Sequence, residues 1–247
     1  MKTDVSIQFE SALQKARFVE RPNRFLLRCM LTDNSSNHST GEELVEAHLA
    51  DPGRLRELLV PGRIIWLHPA DKMGRKTRWS AVLCESPVGE TLVSLDSTLP
   101  NRLIGSALAR GVMKEFAGWS LVRSEFPLGG SRWDFLLQND AGRRLLLEVK
   151  SVTLVEDETA LFPDALTARG ARHMRELAHV VRDGEYDAAV LFVAQREEAK
   201  SIRAAPHIDP VFADALAKAK AAGVKVYGRK CRISLNGVSL GESLPAG

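Results

Sequence analysis

Apolar and polar residues alternate in short stretches through the first 95 positions, and turn-forming residues separate these stretches. Such spacing is typical of short β-strands. One segment differs: residues 54–59 place three leucines at helical spacing and predict a short helix. The strands around it indicate a small closed or half-closed barrel. They are predicted at 25–31, 44–49, 63–67, 79–84 and 91–95.

The pattern changes near Asp96, where longer helical repeats begin. The run 187–194 is nearly all apolar, which predicts a strand covered on both faces. The order of elements indicates an α/β (α+β) fold in which helices pack on a mixed sheet, and it divides the chain into domains 1–95 and 96–247. Strands are predicted at 132–137, 145–152, 187–194 and 224–227, and helices at 103–108, 167–182 and 210–223.

Two of these helices carry clear end signals. Thr167 is the predicted N-cap of the helix over 167–182, and Gly184 is its predicted terminator. Asp209 and Pro210 together open the later helix, with the aspartate as cap and the proline in the first turn. Gly223 ends that helix, so both helices have defined limits.

Composition excludes several classes of protein. The chain has 247 residues, of which 45% are hydrophobic and 26% charged, as in an ordinary globular protein and unlike a disordered one. The longest apolar run, 188–194, is far shorter than the roughly 20 residues of a membrane span, and the N-terminus has no secretory pattern. Three widely spaced cysteines fit a reducing cytoplasm. A net charge of +3 permits nucleic-acid binding without requiring it.

The strongest chemical pattern is Asp134, followed after thirteen residues by Glu148-Val149-Lys150. Residues two apart on a strand share a face, so Glu148 and Lys150 project together, and Asp134 on the preceding strand can lie beside them. Paired carboxylates favour a hard cation such as Mg²⁺ or Mn²⁺, with Asp134 and Glu148 as its ligands. The three residues are therefore candidate catalytic groups for phosphodiester hydrolysis. A cross-strand ion pair is the alternative.

The helix after Lys150 carries polar groups that extend this hypothesis. Arg169, Arg172 and His173 are predicted on the face opposite its apolar stripe, where they could bind phosphates; plain solvent exposure is the alternative. His173 could also move a proton. Glu115, near the end of the first helix of the domain, is either a further metal ligand or a surface residue.

The first domain has two basic segments. Arg54 and Arg56 lie at the start of the predicted short helix, where a phosphate could bind; the alternative is a helix that only caps the barrel. Residues 61–80 carry five Lys or Arg against one Asp, next to Trp66 and Trp79. Basic charge with aromatic rings suits single-stranded or non-specific nucleic acid, and a solvated hairpin tip is the alternative. The DNA-binding candidates in this cluster are Lys72, Arg75, Lys76 and Arg78.

Several segments together resemble the sugar fermentation stimulation protein (SfsA) family, and they follow the family order over nearly the whole chain. The most specific are LLLEVKSVTL and LFPDALTARGARHMRELAHVV; others are DPGRLRELLVPGR, NRLIGSAL and SRWDFLL. The resemblance implies an N-terminal OB-like barrel and a C-terminal domain similar to PD-(D/E)xK nucleases. It places the nuclease triad on Asp134, Glu148 and Lys150, and the Arg-Gly-x-x-His motif on Arg169, Gly170 and His173.

The resemblance also implies DNA binding with little sequence preference and a regulatory link to sugar metabolism. Two positions depart from the patterns: Trp133 stands where the broad nuclease signature has proline, and Asp51 stands where many relatives have asparagine. Three functions remain open. They are a DNA-binding protein without turnover, a nuclease dependent on Mg²⁺ or Mn²⁺, and a module that binds an acidic protein.

Overall fold

The computed structural model describes residues 5–32, 43–70, 74–89 and 91–247. The strands are, in chain order, β1 (Ser6–Gln8), β2 (Gln14–Asn23), β3 (Leu26–Leu31), β4 (Glu43–Leu49), β5 (Ile64–Pro69), β6 (Trp79–Glu85), β7 (Leu92–Ser94), β8 (Trp119–Leu128), β9 (Ser131–Asn139), β10 (Arg144–Val152), β11 (Leu154–Glu156), β12 (Thr159–Phe162), β13 (Asp187–Ala194), β14 (Ser201–Ala204), β15 (Lys225–Ser234) and β16 (Gly237–Leu244). The α-helices are α1 (Leu99–Ala109), α2 (Ala168–Asp183) and α3 (Pro210–Ala221), and a 3₁₀ turn spans Lys114–Phe116.

The first half of the chain folds into the predicted OB-like barrel. Its strands follow the order β4-β3-β2-β5-β6-β7, and a parallel pairing of β4 with β6 closes the sheet on itself. Strand β2 was not predicted, because its sequence is rich in charged residues. The structure explains this: Ala16 and Phe18 point into the barrel core, while the charges between and beyond them face outward.

The predicted helix over 54–59 is wrong. Residues 56–58 form a turn, and Leu55 adopts a left-handed backbone with φ 49°. The helical spacing has another cause, since Leu55 and Leu58 are buried in the barrel core and Leu59 packs against it. The segment closes one end of the barrel without forming a helix.

The second half contains the predicted mixed sheet. Seven strands follow the order β1-β16-β15-β13-β10-β9-β8, with β10, β13 and β15 parallel at the centre. A separate small sheet has the order β11-β12-β14. Apart from β2, the strands that prediction missed lie at the edges of the large sheet or in this small sheet, except β16, which is paired on both sides. The first strand of the chain, β1, joins the edge of the large sheet.

Helices cover both faces of the large sheet. The prediction for 187–194 is confirmed: Val190 and Phe192 of β13 pack toward α2 and α3, while Leu191 and Val193 pack toward α1. The predicted helix ends are also confirmed. Thr167 Oγ1 accepts a 3.0 Å hydrogen bond from the Gly170 N–H, and Gly184 ends α2 in the left-handed conformation. Within the described residues, no helix has the length and apolar character needed to cross a membrane.

Candidate active site and nucleic-acid interface

Strands β9 and β10 bring Asp134 next to Glu148. Their antiparallel pairing extends to the pair Leu147↔Phe135, one step before these two residues. There the Asp134 side chain bonds the neighbouring backbone, and its Oδ2 accepts a 2.7 Å hydrogen bond from the Val149 N–H. The carboxylate is therefore fixed against the strand that carries Glu148.

Asn101, in the first turn of α1, holds the other oxygen of Asp134. Its Nδ2 donates a 2.6 Å hydrogen bond to Asp134 Oδ1. No spacing rule identified Asn101, although it lies in the segment NRLIGSAL that carries the family resemblance. The contact spans 33 positions of sequence, so only the fold places this amide at the site.

Glu148 is the best-connected group of the site. Its Oε1 accepts a 2.6 Å bond from Lys150 Nζ and lies 2.7 Å from His173 Nδ1. The side chain is only 6% exposed and that of Lys150 is 13% exposed. The second oxygen, Oε2, is buried and has no hydrogen-bond partner in the part of the chain that the structure describes.

The two carboxylates have opposite protonation tendencies. Burial raises the pKa of Asp134 to about 6, and the nearby charge of Glu148 contributes. Burial also acts to raise the pKa of Glu148, but the His173 hydrogen bond and the Lys150 charge outweigh it and hold that pKa below its usual value. Glu148 therefore ionises first, and Asp134 loses its proton only near pH 6, beside that charge.

These residues fit a divalent cation of the Mg²⁺ type. The unpartnered Oε2 of Glu148 is a free, buried oxygen donor, and a cation would relieve the repulsion that raises the Asp134 pKa. Within the described ranges, no three His, Cys, Asp or Glu side chains are grouped to hold a metal. Two carboxylates would then be the protein ligands, and water or phosphate oxygens would complete the shell, as is common for Mg²⁺.

His173 does not lie on the solvent face of α2, and that prediction is wrong. Its side chain is 1% exposed and its ring packs 5.2 Å from Trp133. The helix buries a wider stripe than its apolar residues indicated, because the bond to Glu148 offsets the cost of burying the imidazole. A proton on Nδ1 satisfies both of its polar contacts, since Arg169 Nε donates to Nε2 over 3.4 Å.

The two candidate arginines of this helix, Arg169 and Arg172, are exposed, as predicted. Arg169 is held beside the site by its contact with His173. Arg172 is 56% exposed at its side chain and pairs with Glu176 over 3.4 Å. Glu176 also accepts a hydrogen bond from Ser131 on β9.

Arg54 and Arg56 also have exposed side chains, but no helix begins there. The Arg54 and Leu55 N–H groups instead donate to Asp164 Oδ2 over 2.7 and 3.3 Å. Asp164 belongs to the second domain, so a carboxylate of the protein already takes the place proposed for a phosphate. Only the guanidinium groups remain as DNA-binding candidates.

The basic cluster of the barrel lies between β5 and β6. Arg75, Lys76 and Arg78 are exposed there, whereas Lys72 lies outside the described residues. The two tryptophans next to the cluster are partly buried. Trp66 packs against the core around α1 and Trp79 against the barrel core, which leaves little ring surface for stacking.

Glu115 is remote from this chemistry. Both of its oxygens bind Arg229 on β15, over 2.8 and 2.9 Å, and the pair is largely buried. The arginine and Ser243 hold the pKa of Glu115 below its usual value, although burial alone would raise it. Glu115 therefore ties the 3₁₀ turn to the sheet and is neither a surface residue nor a metal ligand of this site.

The fold defines a two-domain protein in which an OB-like barrel precedes a mixed sheet with helices on both faces. The family models match in the same order. "SfsA N-terminal OB domain" matches residues 19–95, and "Sugar fermentation stimulation protein RE domain" matches residues 98–237. The chain belongs to the sugar fermentation stimulation protein family, as the sequence segments predicted.

Relatives and a solved structure agree with this assignment. A sugar fermentation stimulation protein homolog of Shouchella clausii is 46% identical over 233 residues, covering 94% of this chain and 97% of the relative. Its counterpart in Moorella thermoacetica is 46% identical over 235 residues, with 95% and 96% covered. The structure of Pyrococcus furiosus SfsA in complex with Ca²⁺ is 26% identical, with a TM-score of 0.85 over 98% of each chain.

Proposed function

We propose that this chain binds DNA with little sequence preference in the cleft between its two domains, and that Asp134 and Glu148 hold a divalent cation next to the DNA backbone. The observation that carries the proposal is the buried carboxylate pair with its unpartnered Glu148 Oε2. Mg²⁺ or Mn²⁺ is the proposed ion. The Ca²⁺ complex of the Pyrococcus furiosus relative supports a divalent cation in this family.

The position of the site relative to the barrel supports DNA as the partner. Asn101, which holds Asp134, lies on the same helix turn as Arg102, and Arg102 lines a cavity together with Arg75 of the barrel. At the other end, the segment of Arg54 meets Asp164, five residues before Arg169. Exposed arginines of both domains thus lie on segments that are connected by contacts to the carboxylate site, and their charge suits phosphates.

Hydrolysis of DNA is the second candidate, and Lys150 favours it. A bound divalent cation would supply Lewis-acid chemistry, because it stabilises charge on a phosphodiester and activates water. The chain's own groups prepare the site: His173 and Lys150 keep Glu148 ionised, and Asn101 with the Val149 N–H orients Asp134. The Lys150 ammonium can then stabilise negative charge at the phosphate.

Cation binding and cleavage are measured together. We expect electron paramagnetic resonance to show Mn²⁺ bound to the wild type, and Glu148→Gln to weaken this binding by about tenfold or more.

A plasmid incubated with Mg²⁺ or Mn²⁺ tests hydrolysis, with Lys150→Ala as the variant that keeps both carboxylates. Glu46→Gln is the matched control, since this exposed glutamate pairs with Arg28 on the barrel surface. Cation binding without cleavage would support a DNA-binding protein and contradict the nuclease hypothesis.

DNA binding is measured by fluorescence anisotropy with oligonucleotides of unrelated sequence. Affinity should fall with salt, with a log–log slope of about −0.7 to −0.9 for each phosphate neutralised. The double variant Arg75→Ala with Arg78→Ala should weaken binding to all sequences alike. A salt-insensitive complex would contradict DNA binding and favour the module for an acidic protein. Strong preference for one sequence would instead support gene-specific regulation of sugar metabolism.

A further inference from the structure

A large cavity lies between the barrel and the second domain. Its volume is about 760 Å³, within the range of cavities that bind small ligands. The N-terminal segment, the ends of β4, β5 and β6, and the start of α1 form its walls. The polar and aromatic residues that give it its chemistry are Phe9, His48, His68, Arg75, Asp96 and Arg102.

The aromatic wall of this cavity suits a nucleobase. The rings of Phe9 and His68 lie 6.2 Å apart and are tilted by 44°, so they are not stacked on each other. Both are partly exposed, and Ser11 Oγ lies 3.3 Å from His68 Nε2, which fixes the imidazole. Every base has a flat face that stacks on such rings regardless of sequence.

The charged wall suits phosphates on either side of a base. Arg102 pairs with Asp96 over 2.7 Å, so these two charges largely balance. Arg75 donates to Ser80 Oγ over 3.0 Å and has no carboxylate partner among the described residues. Glu10 is the other acidic residue that lines the cavity. The two histidines of the lining are His48 and His68.

Two sets of contacts connect the residues around the cavity to the carboxylate site. Thr98, which precedes α1, and Leu99 and Arg102 of its first turn line the cavity, and Asn101 of the same turn holds Asp134. On the other side, Gln195 Nε2 donates both to the Asp96 carbonyl and to Ser151 Oγ, next to Lys150. A ligand in the cavity therefore lies beside the residues that orient the proposed cation site.

We infer that this cavity holds one unstacked nucleotide of a DNA strand, with the base against Phe9 and His68 and an adjoining phosphate directed toward Asp134 and Glu148. The inference rests on the proposed function and refines it, because the bound strand must be unpaired at this position. Single-stranded DNA, a strand end or an extruded base meets that requirement.

The test compares two strands that differ only in their bases. One is a twelve-nucleotide oligothymidine, and the other is a strand of twelve abasic residues with the same sugar-phosphate backbone. Wild-type protein should bind the thymidine strand about tenfold more tightly. His68→Ala should remove most of that advantage and leave the affinity for the abasic strand unchanged. Arg78→Ala is the matched control: Arg78 is exposed between β5 and β6 and does not line the cavity, so its loss should weaken binding of both strands alike.

Phe9→Leu provides a second variant, because leucine keeps apolar packing against the core while removing the aromatic face. It should lower the thymidine advantage in the same way, with circular dichroism used to check folding. Equal affinity of the wild type for both strands, or an equal loss on both strands in His68→Ala, would overturn the base subsite while salt-dependent DNA binding remained. If the protein bound neither of the two strands nor duplex DNA, the proposed function itself would be overturned.

Discussion

Single carboxylates in this protein differ sharply in their surroundings. One oxygen of Glu148 contacts both the Lys150 ammonium and the His173 imidazole, so this carboxylate stays ionised although it is buried. Asp51 has weaker compensation, from the Gly53 N–H and the charge of Arg21. Burial, together with the charges of Asp164 and Asp96, raises its pKa to about 6, against the hydrogen bond from the Gly53 N–H. An ionised Asp51 therefore weakens the fold, whereas an ionised Glu148 is accommodated.

Replacing Asp51 with asparagine tests how much stability the protein loses when this buried carboxyl ionises. The amide oxygen of the asparagine can still accept the hydrogen bond from the Gly53 N–H. The folded protein binds a proton at Asp51 up to about pH 6, while the unfolded chain loses it near pH 4. Wild-type stability therefore falls as the pH rises between these values and then levels off. We expect Asp51→Asn to add about 2–3 kcal/mol at pH 7 and almost nothing at pH 4.

Urea unfolding of both proteins across this pH range measures the difference in the free energy of unfolding. A gain that stays constant with pH would contradict the electrostatic explanation. Asp214→Asn is the matched control, since Asp214 is an exposed aspartate that pairs with Lys218 on the surface of α3, and its effect should be within about 0.5 kcal/mol at any pH.

The sequence identified the carboxylate pair and missed what surrounds it. The two-residue period of a strand placed Glu148 and Lys150 on one face. The short turn after the preceding strand indicated that Asp134 lies beside them. His173 was assigned to the wrong face because residue type alone marks a histidine as polar and outward. Asn101 had no signal in its spacing. Both residues act through hydrogen bonds that only the three-dimensional fold creates.

Helices α2 and α3 are coupled at their N-termini by one carboxylate. Asp209 Oδ1 accepts from the Phe212 N–H and caps α3, while its Oδ2 accepts a 2.7 Å bond from the Thr167 N–H at the start of α2. Asp209 is only 3% exposed. This link sets the direction of α2, which carries His173 and Arg169 into the site.

Asp209→Ala should therefore cost more than the loss of an ordinary cap. Removing the α3 cap costs about 1 kcal/mol, and the Thr167 N–H left without a partner costs about 1–3 kcal/mol more. Thr167→Ala removes only the α2 cap and should cost about 1 kcal/mol. Thermal and urea unfolding compare the two variants. Equal losses would show that the second bond of Asp209 contributes nothing.

At the level of elements, sequence prediction succeeded where each signal was local. The caps of α2 and α3 and the apolar strand β13 depend on residues within one segment, and they were found. Strand β2 was missed because its outward charges hide the alternation of Ala16 and Phe18. The helix over 54–59 was wrong because its leucines pack into the barrel end from a turn.

The arrangement of the two domains depends on contacts that no local pattern reveals. Asp164 binds the Arg54 and Leu55 N–H groups across 110 and 109 positions of sequence. A second link joins buried Arg196 to Ser86 Oγ over 2.9 Å, again across 110 positions. These contacts hold the barrel against the second domain and so define the cleft in which the proposed DNA site lies.

Gly53 has a specific part in the first link. A Cβ at this position would lie 2.5 Å from Asp164 Oδ2 and 2.9 Å from Asp51 Oδ1, so the close approach of the two domains requires glycine. Gly53→Ala should destabilise the protein by about 1–3 kcal/mol, because the Asp164 carboxylate must move away from the loop. Gly130→Ala is the control, since open space surrounds that position.

Asp164→Ala in combination with Gly53→Ala shows whether this contact couples the domains. Once Asp164 is truncated to alanine, the added methyl group no longer meets its carboxylate, so Gly53→Ala should cost less than in the wild type. We expect a coupling free energy of about 0.5–3 kcal/mol from the double-mutant cycle measured by urea unfolding. Gly130→Ala should show no coupling to Asp164→Ala. Simple additivity of Gly53→Ala and Asp164→Ala would mean that the loop and the carboxylate do not share one contact in solution. The cleft would then depend on the Arg196 link instead.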